Sequence, residues 1–97
     1  MEKLRVTIRG NSMWPSLNDG QEIICTEYTG QPILPKQVVV FEHPFNNKIT
    51  AVKRVKLVQN SKLFVEGDNP DPTASDDSHN FGFIDFSSVI AIADSRA

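Results

Sequence analysis

The chain has 97 residues, of which 39% are hydrophobic, and its formal net charge at pH 7 is -2. This length suits one domain with a single hydrophobic core, and the small net charge argues against a nucleic-acid partner. Hydrophobic runs such as residues 38–41 are far shorter than the roughly 20 residues of a membrane-spanning helix. We therefore expect no membrane anchor and a cytoplasmic location.

Hydrophobic periodicity predicts a mainly β fold. Leu4, Val6 and Ile8 alternate with polar residues, as in a strand with one buried face. Clusters of β-branched and apolar residues predict further strands at residues 22–28, 37–42, 48–58, 63–66 and 88–93. A polar turn at residues 59–62 is typical of a hairpin, and residues 14–17 carry the only helical signal. We expect a single antiparallel, partly barrel-like domain.

Two segments rich in turn-forming residues interrupt the strands. Residues 10–15, G-N-S-M-W-P, end the first strand, and residues 67–72, G-D-N-P-D-P, open a polar loop that continues to residue 82. Pro70 and Pro72 are expected to exclude a helix there. Residues 48–62 contain five basic residues and no acidic one, whereas residues 66–85 contain six acidic residues and no lysine or arginine. We interpret this segregation as two solvated faces of one sheet system.

Several kinds of reactive site fit the sequence poorly. Cys25 is the only cysteine, which excludes an internal disulfide and a multi-cysteine metal site, and its apolar neighbours predict a buried side chain. The acidic residues of the polar loop lack calcium-loop spacing, and no G-x-S-x-G motif is present. We therefore expect no metal and no cofactor, and catalysis by His43 or His79 is not favoured.

A serine can instead be activated by an uncharged lysine. The ordinary lysine pKa is about 10.4, so such a lysine needs a lowered pKa, which burial can provide. Lys53 lies in a valine-rich strand and is the natural candidate if its side chain faces the core. A lysine in such a strand also suits the solvent face, and this alternative stays open. The neighbouring charge of Arg54 would lower the pKa of Lys53 further.

Several ordered segments resemble the signal peptidase I and LexA-type family of Ser–Lys peptidases. Residues 10–17, G-N-S-M-W-P-S-L, are similar to the family's nucleophile segment, and residues 52–55, V-K-R-V, to its lysine segment. Residues 67–70, G-D-N-P, with residues 75–82, S-D-D-S-H-N-F-G, resemble the block G-D-N…S-x-D-S-R-x-[F/W]-G. Residues 18–24 resemble a further family strand, with Gln21 in place of the usual aspartate. Residues 36–41 resemble another, but lack its Gly-Asp dipeptide.

The resemblance implies a peptidase domain over residues 1–97 that acts on a precursor polypeptide. Ser12 would be the nucleophile, and Lys53 would take its proton and return one to the leaving amine. Ser75 would hydrogen-bond to the lysine amine and orient it. The backbone N–H of Ser12 would stabilise the developing oxyanion. Gly10 stands where some relatives carry a second, side-chain donor.

Two departures from the family pattern concern the last block. His79 stands in place of the family's arginine, so an ion pair between Asp77 and an arginine cannot form in the same way. Two additional residues separate residue 67 from Ser75, so Ser78 and Thr73 are alternative candidates for orienting the lysine. Ser75 also suits a simple turn-forming role.

Only eleven residues precede Ser12, and we expect no membrane anchor. In these two respects the chain resembles one subgroup of the family, the soluble nickel-type superoxide dismutase maturation proteases. Such a protease removes an N-terminal propeptide from its precursor. Two alternatives stay open. The first is a general signal-peptidase-like processing protease, and the second is a catalytically inactive β-domain that binds extended peptides by strand addition.

Overall fold

The computed structural model describes residues 1–94, in which strands predominate. The seven strands of this part of the chain are β1 (Lys3–Thr7), β2 (Glu22–Glu27), β3 (Val38–His43), β4 (Asn46–Gln59), β5 (Lys62–Glu66), β6 (Ile84–Asp85) and β7 (Val89–Ala93). One short helix, α1, spans Ser78–Phe81, and 3-10 turns span Pro72–Ala74 and Phe86–Ser88. No helix among these residues is both long and apolar enough to cross a membrane.

All seven strands belong to one sheet, in the order β1-β2-β7-β3-β4-β5-β6. Every neighbouring pair is antiparallel. The predicted mainly β, antiparallel fold is therefore confirmed. Within residues 1–94, β1 and β6 remain at opposite edges, so the sheet is open rather than closed into a barrel.

Each strand predicted from periodicity is present, with ends that agree within two residues. The hairpin between β4 and β5 turns through Asn60 and Ser61, whose φ angles are both positive, at 52° and 61°. Two consecutive left-handed residues form the type of turn that matches the twist of the flanking strands. β4 extends past the prediction in both directions and pairs with β3 and β5 in succession.

The short elements of the polar loop escaped the sequence analysis. Pro72 begins a 3-10 turn, although we expected the prolines to exclude a helix. The first position of a helical turn needs no N–H donor, so proline is tolerated there. Helix α1 contains four residues and begins after Asp77, whose side chain accepts a hydrogen bond from the N–H of His79. A single turn is too short to produce a periodic pattern, and so is the two-residue strand β6.

The core lies on both faces of the curved sheet. The largest cluster packs the central strands against the polar loop and contains Val39, Phe41, Leu63 and Val65 together with five further buried residues. A smaller cluster joins Met13 to β3. Cys25 is fully buried, as predicted. Burial, with a smaller contribution from the charge of Asp94, raises the pKa of its thiol to about 11, so the thiol stays protonated and inert.

The main core predicts a large difference between two leucines. Leu63 is fully buried, whereas Leu34 is 59% exposed. Leu63→Ala should lower the free energy of unfolding by about 2–5 kcal/mol, because it removes buried methyl groups and leaves a cavity. Leu34→Ala, the matched control, should change it by less than about 0.5 kcal/mol. Urea unfolding followed by circular dichroism measures both, and equal losses would contradict the packing described here.

Candidate active site

Ser12 lies in a tight turn between β1 and β2, and this turn is held by a buried side chain and by hydrogen bonds. Met13 is 1% exposed, and its carbonyl accepts a hydrogen bond from the N–H of Leu17 at 2.9 Å. Gly10 has a φ of 81° and donates its N–H to Asp19 Oδ1 at 2.7 Å. A left-handed residue at this point suits glycine because glycine lacks a Cβ atom. The buried methionine and the turn together fix the backbone that carries Ser12.

The loop after β5 holds the same turn from the other side. The backbone N–H of Asn69 donates to the carbonyl of Ser12 at 3.0 Å, and its side-chain amide donates to the carbonyl of Asn11 at 2.7 Å. A Cβ atom at Gly67 would collide with the Ser12 carbonyl and with the Ser75 side chain. The G-D-N segment therefore keeps the turn that carries Ser12 in place by close backbone approach.

Asp68, the middle residue of that segment, binds Arg54. The guanidinium donates from Nε to Oδ1 at 2.9 Å and from a terminal nitrogen to Oδ2 at 2.7 Å. Both side chains are largely buried, and a bidentate pair of this kind fixes orientation as well as distance. We expected the charge of Arg54 to lower the pKa of Lys53, but this charge is matched by Asp68 instead.

Lys53 lies on β4 and points into the protein, towards Ser12. Its side chain is buried, with 6% of the residue exposed, and Nζ donates to Ser12 Oγ at 2.8 Å. Burial lowers the pKa of Lys53, and the charges of Asp77 and Asp76 partly oppose this effect by raising it. The alternative of a solvent-facing lysine therefore does not apply, and the structure brings Ser12 and Lys53 together.

Ser75 lies close by, but its hydroxyl is directed to Asp77. Ser75 Oγ donates to Asp77 Oδ2 at 2.8 Å, and the expected hydrogen bond to Lys53 is not formed in the described part of the chain. The alternative residues are engaged elsewhere as well. Ser78 Oγ accepts a hydrogen bond from the N–H of Val65, and Thr73 Oγ1 donates a hydrogen bond to Asp71 Oδ1.

Asp77 is a buried carboxylate of the site that accepts several hydrogen bonds. It is 5% exposed and accepts hydrogen bonds from the N–H of Gly67, from Ser75, and from the backbone and Nδ1 of His79. Burial alone would raise the pKa of Asp77, but these hydrogen bonds outweigh it and hold the pKa below its usual value. His79 Nδ1 lies 2.8 Å from Asp77 Oδ1. The imidazole therefore hydrogen-bonds to Asp77 from the position at which the family pattern has an arginine.

Ser12 and Lys53 line a groove of about 320 Å³ between β1 and β4. Its other lining residues are Val6, Thr7, Ile8, Arg9, Met13, His43, Ile49, Thr50, Ala51, Val52 and Asp76. Two of these lining residues, His43 and Asp76, are in contact, with 2.8 Å between His43 Nε2 and Asp76 Oδ2. The sequence analysis missed this pair, since the two residues are 33 positions apart and match no spacing rule.

The geometry is suited to nucleophilic catalysis by serine. A buried amine with a lowered pKa lies in hydrogen-bonding contact with an alcohol at the floor of an open groove, which is how a lysine base activates a serine. Among residues 1–94, the N–H of Ser12 has no hydrogen-bond partner, so it is available to an anionic oxygen. No group of three or more potential ligands in this part of the chain could hold a metal ion.

The chain was also compared with known proteins. The family model described as "Signal peptidase, peptidase S26" matches residues 3–56. This segment is more than half of the chain and contains both Ser12 and Lys53, whereas Ser75 and Asp77 lie beyond it. No curated protein matches the chain.

The close approach of Gly67 gives a test of how the site is assembled. Gly67 does not have a positive φ, so alanine there would be neutral or stabilising if space allowed. Because its Cβ would meet Ser12 and Ser75, Gly67→Ala should instead cost about 1–3 kcal/mol of unfolding free energy in urea. The double variant Gly67→Ala/Ser75→Gly removes one of the two contacts and should recover part of this loss. Unchanged stability in Gly67→Ala would mean that the loop does not pack tightly against the turn that carries Ser12.

Proposed function

Because the chain belongs to the signal peptidase family, peptidase S26, we propose that it is a serine endopeptidase that uses Ser12 and Lys53 as a catalytic dyad. The family makes it a signal-peptidase-like serine peptidase with a polypeptide substrate. The observation that carries the dyad is the 2.8 Å contact between Lys53 Nζ and Ser12 Oγ, made by a lysine that is 6% exposed.

In the proposed reaction, the neutral amine of Lys53 removes the proton of Ser12 Oγ as this oxygen attacks the scissile carbonyl carbon. The C–N bond of the tetrahedral intermediate then breaks, and the Lys53 ammonium gives its proton to the leaving amine. A water molecule attacks the resulting ester of Ser12, with Lys53 again accepting the proton. Ser12 recovers its proton when the acid product leaves.

The oxyanion of the intermediate would be stabilised by the backbone N–H of Ser12, which is unpartnered in the described part of the chain. A preorganised donor of this kind lowers the barrier because it need not reorient during the reaction. Gly10 supplies no side-chain hydroxyl, so main-chain donors carry this role here.

We assign Ser75 a positioning role. Its hydroxyl holds Oδ2 of Asp77, and the charge of Asp77 acts on the pKa of Lys53. Ser75 would thus influence Lys53 indirectly, by positioning the carboxylate of Asp77. Loss of this hydroxyl should therefore reduce catalysis less than loss of Lys53.

The groove suits an extended polypeptide. β1 pairs only with β2, and residues 46–53 of β4 pair only with β3, so within residues 1–94 two strand edges lack a partner. Unpaired strand edges can bind an added strand through main-chain hydrogen bonds. This supports a peptide substrate, and it equally supports the alternative of a peptide-binding domain without activity, so cleavage itself has to be tested.

For the substrate, we propose a precursor that loses an N-terminal propeptide, with a nickel-type superoxide dismutase precursor as the first candidate. The similarity of V-K-R-V at residues 52–55 and G-D-N-P at residues 67–70 to that subgroup supports this choice. A general processing protease would act on other precursors instead.

The dyad predicts a complete dependence of cleavage on two side chains. Purified protein should trim the nickel-type superoxide dismutase precursor, and Ser12→Ala or Lys53→Met should slow trimming by a factor on the order of 10³ or more. Lys48→Met, which removes an exposed lysine of the same strand, is the control and should retain activity. Mass spectrometry of the trimmed product measures all four proteins, and circular dichroism verifies folding.

The outcomes of this experiment separate the candidate functions. Ser12-dependent cleavage of other peptides without trimming of this precursor would keep the dyad and reject the proposed substrate. Peptide binding without any Ser12-dependent cleavage would reject the peptidase and favour the inactive β-domain.

The charge of Asp76 predicts a shift in the pH profile. Asp76 raises the pKa of Lys53, so its removal should lower that pKa and increase the neutral fraction of the amine at a given pH. In Asp76→Asn, the ascending limb of kcat/KM against pH should therefore move to lower pH. Asp85→Asn removes an exposed carboxylate outside the groove and should leave the limb in place. A shift to higher pH in Asp76→Asn would contradict the role of Lys53 as base.

A further inference from the structure

Asp76 takes part in no step of the proposed reaction, yet it lines the groove together with Ser12 and Lys53. Its side chain is 62% exposed, in contrast to the buried Asp77 beside it. The carboxylate is near enough to Lys53 for its charge to affect the amine. A substrate that reaches Ser12 therefore passes close to Asp76.

The carboxylate of Asp76 is held in a defined orientation. Oδ2 accepts a hydrogen bond from His43 Nε2 at 2.8 Å, and Oδ1 accepts one from Asn80 Nδ2 at 3.0 Å. The ring of His43 is itself fixed, since its edge packs on Phe81 with 5.1 Å between the ring centroids. Each carboxylate oxygen can accept a further hydrogen bond, so both remain available on the exposed side.

His43 orients Asp76 through a hydrogen bond, and Asp76 remains ionised. Nδ1 of His43 accepts a hydrogen bond from the N–H of Phe45 at 3.1 Å, so we assign a proton to Nε2, which donates to Asp76. The hydrogen bonds from His43 and Asn80 hold the pKa of Asp76 below its usual value, and the carboxylate therefore stays ionised.

No lysine or arginine among residues 1–94 forms an ion pair with Asp76. Arg9 lines the same groove, but in the described part of the chain it forms neither an ion pair nor a hydrogen bond, so it does not reach Asp76. The groove thus contains the preoriented, exposed carboxylate of Asp76, which is not paired with a lysine or arginine of residues 1–94.

We propose that Asp76, oriented by His43 and Asn80, is a specificity-determining residue that binds a lysine or arginine side chain of the substrate close to the scissile bond. This inference rests on the proposed function, because it concerns the groove that leads to Ser12. A polypeptide lying in the groove removes water from the carboxylate, and an anion that loses water without gaining a partner is costly. A basic side chain supplies that partner, whereas an acidic side chain is repelled.

The first experiment measures binding without cleavage. Immobilised Ser12→Ala captures peptides from a synthetic mixture with randomised positions, and mass spectrometry identifies the bound sequences. We expect lysine and arginine to be enriched at one position, and the enrichment to disappear in Ser12→Ala/Asp76→Asn. Ser12→Ala/Asp85→Asn removes a carboxylate outside the groove and should retain it. This experiment needs no catalysis, so its result is independent of the proposed dyad.

The second experiment measures cleavage by the protein with Ser12 intact. Peptides that differ only by lysine, glutamine or glutamate at the enriched position are compared by kcat/KM. Lysine should be preferred to glutamine by about five- to tenfold, as for a charge-assisted hydrogen bond in a partly exposed site. Asp76→Asn should bring this ratio near one, and Asp76→Lys should favour glutamate. The ratio compares two substrates of one enzyme, so any change that the substitution makes to Lys53 in the free enzyme affects both substrates alike.

Each outcome decides one of the two proposals. Cleavage without an Asp76-dependent preference for basic residues would overturn this inference and leave the peptidase function intact. An Asp76-dependent preference in binding without cleavage would support the inference and reject the dyad. An enrichment of acidic residues that Arg9→Gln removes would show that Arg9 dominates the groove, and would also overturn the inference.

Discussion

The buried amine of Lys53 is the constraint around which the groove is arranged. Loss of water disfavours an ammonium ion, so burial lowers the pKa of Lys53. Asp77 and Asp76 act in the opposite direction, because their negative charges favour the ammonium form. The protonation state of the lysine is therefore a balance between burial and two carboxylates, and any activation of Ser12 depends on this balance.

The loop between β5 and α1 affects both the position of Ser12 and the charge around Lys53. At its start, Gly67 and Asn69 approach the backbone of Ser12 and hold the turn that carries this residue. At its end, Asp76 and Asp77 place their charges beside Lys53. One segment thus couples the geometry of the alcohol to the electrostatics of the amine. This coupling explains why residues beyond the family match, which ends at residue 56, shape the site within it.

The sequence predicted the features that depend on local pattern. Alternation located the strands, because the side chains of a strand point to opposite faces in turn, and the segments around Ser12 and Lys53 were recognised by their order. It did not predict the hydrogen bond of Ser75, since the rotation of a hydroxyl is decided by which acceptor lies nearest, here Asp77. It also missed His43 and Asp76, which meet only because β3 and the polar loop pack together in the fold.

A lysine in the interior of a small protein lowers the stability of the fold. Each unit by which burial lowers a lysine pKa corresponds to about 1.4 kcal/mol, while the whole free energy of unfolding of a domain is about 5–15 kcal/mol. Asp76 and Asp77 limit this loss by attracting the ammonium form, but the same attraction makes Lys53 a poorer base. A substrate cation at Asp76 would resolve the conflict, because it offsets one of the two charges only while the groove is occupied. The free protein would then keep the stabilising carboxylate, and the amine would lose its proton more readily once a substrate is bound.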